Sequence, residues 1–360
     1  MMRLSSDFKE RLANGIKTCW TSPSNIALIK YWGKKGHQLP ANPSLSFSLN
    51  EAFTITRVQT QLLSAGNGPE VIFTFEGERN DVFGEKIMTF LAGLANYFPF
   101  LPFVKLIIES GNTFPHSAGI ASSASSMSAL ALSLVSIEQE LSDNKYDEVA
   151  FKQKSSYIAR LGSGSACRSV YGGYTVWGKH PDFENSSDDY AVPAAFTPGS
   201  LFVNIKDTIL LVDPTPKKVS SRAGHNLMND HPYAAARYTQ AMGNLSKIKA
   251  AIINNDWESF ALITENEALS LHAMMMSSNP GYLLMHPNTI NIVQLIWEMR
   301  KQNYMKVCFT LDAGPNIHLL YPDTETEKIE ALINESKQYC FRGKIIHDNI
   351  GKGPENKYCK

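Results

Sequence analysis

Several stretches of this chain hold residues whose types and spacing could act on an anionic molecule. In NIALIKYWGK, Lys30, Tyr31 and Lys34 fall within five residues, just past the apolar run that ends at Ile29. Two ammoniums and a phenol so placed could clamp a phosphorylated anion. The same residues would also suit a surface helix whose lysines snorkel over aromatic rings. Pro115 to Leu134, PHSAGIASSASSMSALALSL, passes from a proline and a glycine among small residues straight into a helix-forming run. Small residues at a helix start let backbone N–H groups approach a phosphate and aim the positive end of the helix dipole at it. Ser122, Ser123, Ser125 and Ser126 add hydroxyls. The alternative is a helix packed tightly in a core, its serines bonded back to the preceding turn.

Ser163 to Arg168, SGSACR, offers two hydroxyls and a guanidinium fork suited to a carboxylate or phosphate, or else a Gly-Ser turn with a solvated arginine. Ser221 and Arg222 precede a helix pattern whose start would suit an anion. Asp312 opens DAGPN at a strand end, in isolation simply a turn. The remaining carboxylates mostly sit in helix patterns and need no special role. Met274 to Met276 reads as core.

Other classes are excluded. No lysine follows the glycines of 115–134, so this is not a GxxxxGK[ST] loop. No charged residue occurs between Ser110 and Ile137, yet eight serines between Ser117 and Ser136 rule out a membrane span of about twenty apolar residues. The chain has 360 residues, 43% hydrophobic and 19% charged, with 34 Lys plus Arg against 34 Asp plus Glu. That balance gives no general nucleic-acid or membrane surface. Five scattered cysteines lack CxxC spacing, which argues for a reducing compartment and against a zinc site. The nine histidines show no HxxxH pair, so no structural metal is expected. The charged start, MMRLSSDFKERLANG, is no signal peptide, and the expectation is a cytoplasmic protein.

The elements that must position these residues follow from hydrophobic period. Residues 1 to 15 read as a short helical lead-in, and Thr18 to Ile29 as a strand interrupted by a Pro-Ser-Asn turn. Leu45 to Gln61 alternates as a strand, with Val71 to Phe75 as its hairpin partner. Helix patterns cover 83–96 and 147–161, and 104–110 and 172–177 are strands. Pro181 to Gly199 is polar and marks a boundary, after which Leu201 to Val212 reads as strand, turn, strand. Helices over 232–253, 256–275 and 288–302, a hairpin 306–321, a helix 324–338 and a strand 343–347 predict an α+β ferredoxin-like half.

Pro115 to Ala124 resembles the ATP-phosphate loop of the galacto-, homoserine, mevalonate and phosphomevalonate kinase superfamily, P-x-x-x-G-[LI]-x-S-S-A. Its alanine before the two serines resembles the diphosphomevalonate decarboxylases. NIALIKYWGK is similar to that family's NIA-x-x-KYWGK, SGSACRS to a segment whose serines and arginine contact substrate, and DAGPN to its third signature. The segments 25–34, 115–124, 163–169 and 312–316 stand in the family's order. The resemblance implies a two-domain α+β fold. Its N-terminal α/β domain, with a left-handed βαβ crossover (ribosomal-protein-domain-2-like), would span 1–199. A C-terminal ferredoxin-like domain would span 200–360, with the site between them.

The implied reaction uses ATP and Mg²⁺ to convert 5-diphosphomevalonate to isopentenyl diphosphate, ADP, phosphate and CO₂. Asp312 would be the base at the hydroxyl that accepts phosphate, Lys30 would keep it ionised, and Arg168 would hold the substrate carboxylate. Ser117, Ala118, Gly119, Ile120, Ala121, Ser122, Ser123 and Ala124 would bind ATP. Tyr31, Trp32, Gly33, Lys34, Ser163, Gly164, Ser165, Ala166 and Cys167 would bind substrate, with Ser221 and Arg222 at its diphosphate. Lys86 falls near a family arginine that contacts substrate, and His225 stands where a Met or similar apolar residue is expected. The resemblance leaves the Mg²⁺ ligands open and implies a homodimer acting on small molecules, with no nucleic acid and no membrane. The rivals are a phosphomevalonate decarboxylase, a mevalonate 3-kinase, and a catalytically silent metabolite-binding regulator. Lys30, Arg168 and Asp312 together favour a decarboxylase, and Lys34, Ser221 and Arg222 a diphosphate over a monophosphate.

Overall fold

Two antiparallel neighbours, Lys17–Ile29 and Ser44–Leu62, organise the N-terminal sheet. The computed structural model describes residues 6–64, 66–115, 122–143, 145–215 and 219–357. Ser44–Leu62 is long enough for two further partners: its 54–62 part pairs with Val104–Asn112, and its 44–47 part with Tyr174–Trp177. Thr54, Thr56, Val58 and Thr60 are buried while the residues between them are half-buried or exposed, the period-two pattern of a sheet with one covered face.

The predicted turn at Pro23 does not form. The strand runs through it with a register shift between Pro23 and Asn25, the kind of irregularity at which a residue lacking an N–H is tolerated. The predicted hairpin of Val71 to Phe75 with Leu45 to Gln61 is also replaced. Glu70–Phe75 pairs parallel with Val104–Asn112, and helix Asp81–Ala92 occupies the crossover such a pair requires.

Helix Ser122–Leu141 covers the sheet, and several of its serines bond to the strands beneath. Ser128 Oγ lies 2.8 Å from Ser22 Oγ, Ser125 Oγ lies 2.6 Å from Thr54 Oγ1, and Ser136 Oγ accepts from Trp20 Nε1 at 2.9 Å. These serines join helix to strands. Ser122 is half-buried and Ser123 exposed at the helix start.

The C-terminal sheet runs Cys308–Leu311, Ile317–Pro322, Ile205–Leu210, Ile345–Asn349, antiparallel throughout. Helices Ala234–Ile253, Trp257–Met276 and Pro287–Asn303 lie in the chain between Ile205–Leu210 and Cys308–Leu311, and Thr326–Ser336 between Ile317–Pro322 and Ile345–Asn349, which is the ferredoxin-like order. Leu201 to Val212 yields one strand instead of two. Phe202, in a 3₁₀ turn, is fully buried against Trp257 and Phe260, so packing claims that residue. The polar segment 181–199 also contributes a short strand, Ala191–Pro193, to the N-terminal sheet.

One core cluster belongs to both halves: Ile26, Phe47 and Phe114 pack with Phe202, Leu245 and Phe260. Glu355–Asn356 returns to pair with Trp20 and Thr21. Among the described residues no helix is long and apolar enough to cross a membrane.

Candidate active site

Lys30 is the first residue past strand Lys17–Ile29, and Asp312 the first past Cys308–Leu311, so each half delivers one to the junction. Lys30 Nζ donates to Asp312 Oδ1 at 2.9 Å. The lysine side chain is 2% exposed and the aspartate 26%, so the cation lies beneath and the carboxylate opens outward. Burial pulls the Lys30 ammonium below its ordinary value; Asp312 and Glu267 oppose that pull and Arg168 adds to it. The main chain of Lys30 is held as well, its N–H by Glu267 Oε2 and its carbonyl by Asn42 Nδ2, both at 2.9 Å.

Helix Glu148–Gly162 ends at Ser163, and the 3₁₀ helix Gly164–Val170 then carries Arg168 inward. Arg168 Nε donates to Asn25 Oδ1 at 3.0 Å and Nη1 to Ser44 Oγ at 2.8 Å, with the Trp177 ring 6.0 Å from the guanidinium. Asn25 Nδ2 in turn donates to Ser169 Oγ at 2.7 Å and the Ser165 carbonyl at 3.2 Å. A buried arginine with its Nε and Nη1 fixed this way has little rotational freedom, which preorganises it for an anion. Burial pulls the Arg168 guanidinium below its ordinary value, and nearby Asp312 opposes that pull. Ala166 and Cys167 are buried in this turn, and burial pushes the Cys167 thiol up to about 12, so it is no nucleophile at neutral pH.

Tyr31, Trp32 and Gly33 gather around His225 on the short helix Ser221–Asn226. The imidazole lies 4.3 Å from the Tyr31 ring and 4.5 Å from the Trp32 ring. A methyl group at Gly164 would fall 2.7 Å from Tyr31 Oη, so only glycine admits that phenol. Tyr31 Oη is buried without a hydrogen-bond partner among the described residues, a polar atom left for a ligand to satisfy. Burial holds the His225 imidazole well below its ordinary value, and the charge of half-buried Lys34 beside this cluster adds to that.

The structure does not bring every expected residue here. Lys86 is exposed on helix Asp81–Ala92, its ammonium 5.1 Å over the Phe83 ring. Ser221 is exposed, and Ser220 instead caps its helix, accepting from the Ala223 N–H at 3.2 Å. Ser117, Ala118, Gly119, Ile120 and Ala121 lie outside the described residues, as does the Arg222 side chain. Ser122, Ser123 and Ala124 form the helix start, with Ala124 buried.

Sequence reasoning missed Asn42, Ser44, Glu267 and His272. Glu267, left without a role by its helix pattern, is fully buried and paired with Arg237. The available signal was a carboxylate with Ile263 and Leu271 one turn away on either side.

Two family models cover this chain: a diphosphomevalonate decarboxylase-like N-terminal domain over residues 22–191 and a mevalonate 5-diphosphate decarboxylase C-terminal domain over 208–357. The diphosphomevalonate decarboxylase of Aspergillus fumigatus is 31% identical over 87% of this chain and 78% of its own length. That of Saccharomyces cerevisiae is 32% identical over 87% and 80%. The crystal structure of mevalonate diphosphate decarboxylase from Staphylococcus aureus superposes with a TM-score of 0.81 at 30% identity, covering 96% of this chain and 98% of that one. A further solved structure, MDDEF in complex with MVAPP, AMPPCP and magnesium, gives a TM-score of 0.81 at 26% identity, covering 96% and 100%. By the curated relatives it matches over most of their length, this chain belongs to the diphosphomevalonate decarboxylase family.

Proposed function

We propose that this protein uses ATP to convert 5-diphosphomevalonate to isopentenyl diphosphate, ADP, phosphate and CO₂. The observation that carries the proposal is the Lys30–Asp312 pair, with its carboxylate open, its cation buried and Arg168 alongside. A tertiary hydroxyl is a poor leaving group, so it is phosphorylated first. Asp312 accepts the hydroxyl proton as the oxygen attacks the γ-phosphorus of ATP, and ADP departs. Lys30 keeps the carboxylate ionised until that moment. The C–O bond of the phosphorylated intermediate then breaks with loss of phosphate. The electrons of the C–C bond to the carboxylate form the alkene, and CO₂ leaves. Arg168 Nη2, beside the committed Nε and Nη1, is the nitrogen assigned to that carboxylate. Tyr31 and Lys34 are assigned to the substrate, and Ser221, exposed at the start of the short helix that carries His225, is assigned with Arg222 to its diphosphate.

Among the described residues no three His, Cys, Asp or Glu side chains form a metal cage. Mg²⁺ carried by nucleotide phosphates needs few protein oxygens, and the hydroxyls of Ser122 and Ser123 at the helix start are donors of that kind. Ser122 and Ser123 are assigned to hold it; when bound it neutralises charge on the transferred phosphoryl group. The helix dipole behind them acts in the same sense.

A boundary at 199/200, a homodimeric state and a cytoplasmic location complete the proposal. Buried free thiols at Cys19, Cys167, Cys308 and Cys340 support a reducing compartment. The test is ATP turnover with mevalonate, its 5-phosphate and its 5-diphosphate, following ADP and CO₂ separately. Equal ADP and CO₂ with the diphosphate alone is expected. ADP without CO₂ would make the protein a kinase, and equal yields with the monophosphate would change the substrate.

A further inference from the structure

We propose that helix Trp257–Met276 acts as a ruler for the Lys30–Asp312 pair, with Glu267 and His272 as positioning residues; the inference deepens the reading above and rests on it for its kinetic part. The helix makes one hydrogen bond to the main chain of each partner. Glu267 Oε2 accepts the Lys30 N–H at 2.9 Å, and His272 Nε2 donates to the Asp312 carbonyl at 3.1 Å. A carbonyl only accepts, so Nε2 is the protonated nitrogen of that ring. The two helix positions are five residues apart, about 7.5 Å along the axis at 1.5 Å per residue.

Both contacts are to backbone atoms just past a strand end, where the ladder no longer fixes the chain. They leave the side chains of Lys30 and Asp312 to bond each other. The helix packs against both strands that deliver these residues. Its own end of the ruler is rigid. Glu267 Oε1 accepts from Asn244 Nδ2 at 2.7 Å and Arg237 Nη1 at 3.0 Å, and Oε2 also accepts from Arg237 Nη2. Glu267 and His272 are both buried, so water does not compete for these bonds.

A second consequence is electrostatic. Lys30 is faced by two carboxylates, Asp312 and Glu267, and by the guanidinium of Arg168, while Arg237 lies behind Glu267. Displacing Asp312 or removing the Glu267 charge would leave the buried ammonium less supported and easier to deprotonate.

The test compares the intact protein with His272→Phe, His272→Gln and Glu267→Gln. His272→Phe keeps a ring but loses the donor, and kcat is expected to fall about 10- to 100-fold with KM values within roughly threefold. His272→Gln places an amide N–H near the lost Nε2–H and should recover most of that loss. In parallel, the Lys30 ¹³Cε signal is titrated in the ligand-free proteins. Its midpoint should drop by about one pH unit in Glu267→Gln and also fall in His272→Phe, but not in His272→Gln. An unmoved Lys30 midpoint in His272→Phe would overturn the ruler, as would parent kcat in that variant. The titration needs no turnover, so it decides the ruler even if 5-diphosphomevalonate is not the substrate. The His272 variants decide it even if Glu267→Gln, which leaves Arg237 buried without its partner, does not fold.

Discussion

His225 Nδ1 accepts the backbone N–H of Gly33 at 2.9 Å. An imidazole nitrogen that accepts carries no proton, and burial beside Lys34 and Arg168 holds the ring well below its usual range. His225 is therefore a neutral link between the short helix Ser221–Asn226 and the segment that carries Lys30, Tyr31 and Lys34.

This link predicts an acid sensitivity. The unfolded ring takes up a proton near pH 6.5, whereas the folded ring resists it. Its folded pKa is depressed, so its contribution is complete above about pH 6.5 and is lost as pH falls below that. Between pH 7 and 5.5 the parent should lose about 1 kcal/mol more stability than His225→Met, measured by urea unfolding at both pH values. Equal losses would mean that His225 is not held neutral.

Gly33 has φ of +95°, and a methyl group there would lie 2.1 Å from Tyr238 Oη. Gly33→Ala should cost about 2 kcal/mol or more, from backbone strain and the clash together. Adding Tyr238→Phe removes the nearest clashing atom and should recover only part, because the backbone strain stays. A Gly33→Ala variant as stable as the parent in urea would contradict this turn.

How much of this was legible in the sequence depends on the range of each interaction. KYWGK and DAGPN could be read because each is a local string at a strand end, but a separation of 282 positions in the chain hides the pairing of Lys30 and Asp312 from any pattern. Their meeting was expected only through the resemblance. The strand character of Val71 to Phe75 was legible in its apolar run; its parallel partner was not, because alternation encodes a face and not a neighbour. The serines of 122–136 looked alike in sequence, and only the strands beneath them separate Ser128 and Ser136 from Ser122 and Ser123. Glu267 read as one more helical carboxylate because its partner Lys30 is 237 residues away.

Arg168→Lys keeps the charge but cannot reproduce the bonds to Asn25 and Ser44 from a single ammonium. Turnover should fall about 100-fold, with the KM for ATP changed little, in steady-state assays of CO₂ release. Near-parent kcat would remove Arg168 from the carboxylate site.

The most direct measurement is turnover of Asp312→Asn with 5-diphosphomevalonate and ATP, with ADP and CO₂ followed separately. The amide keeps the shape of Asp312 but cannot take the hydroxyl proton. Both products should fall together by about 10²–10⁴-fold while binding of a nonhydrolysable ATP analogue is retained. Turnover within tenfold of the parent, or ADP formed at the parent rate without CO₂, would contradict the role of Asp312 as the base.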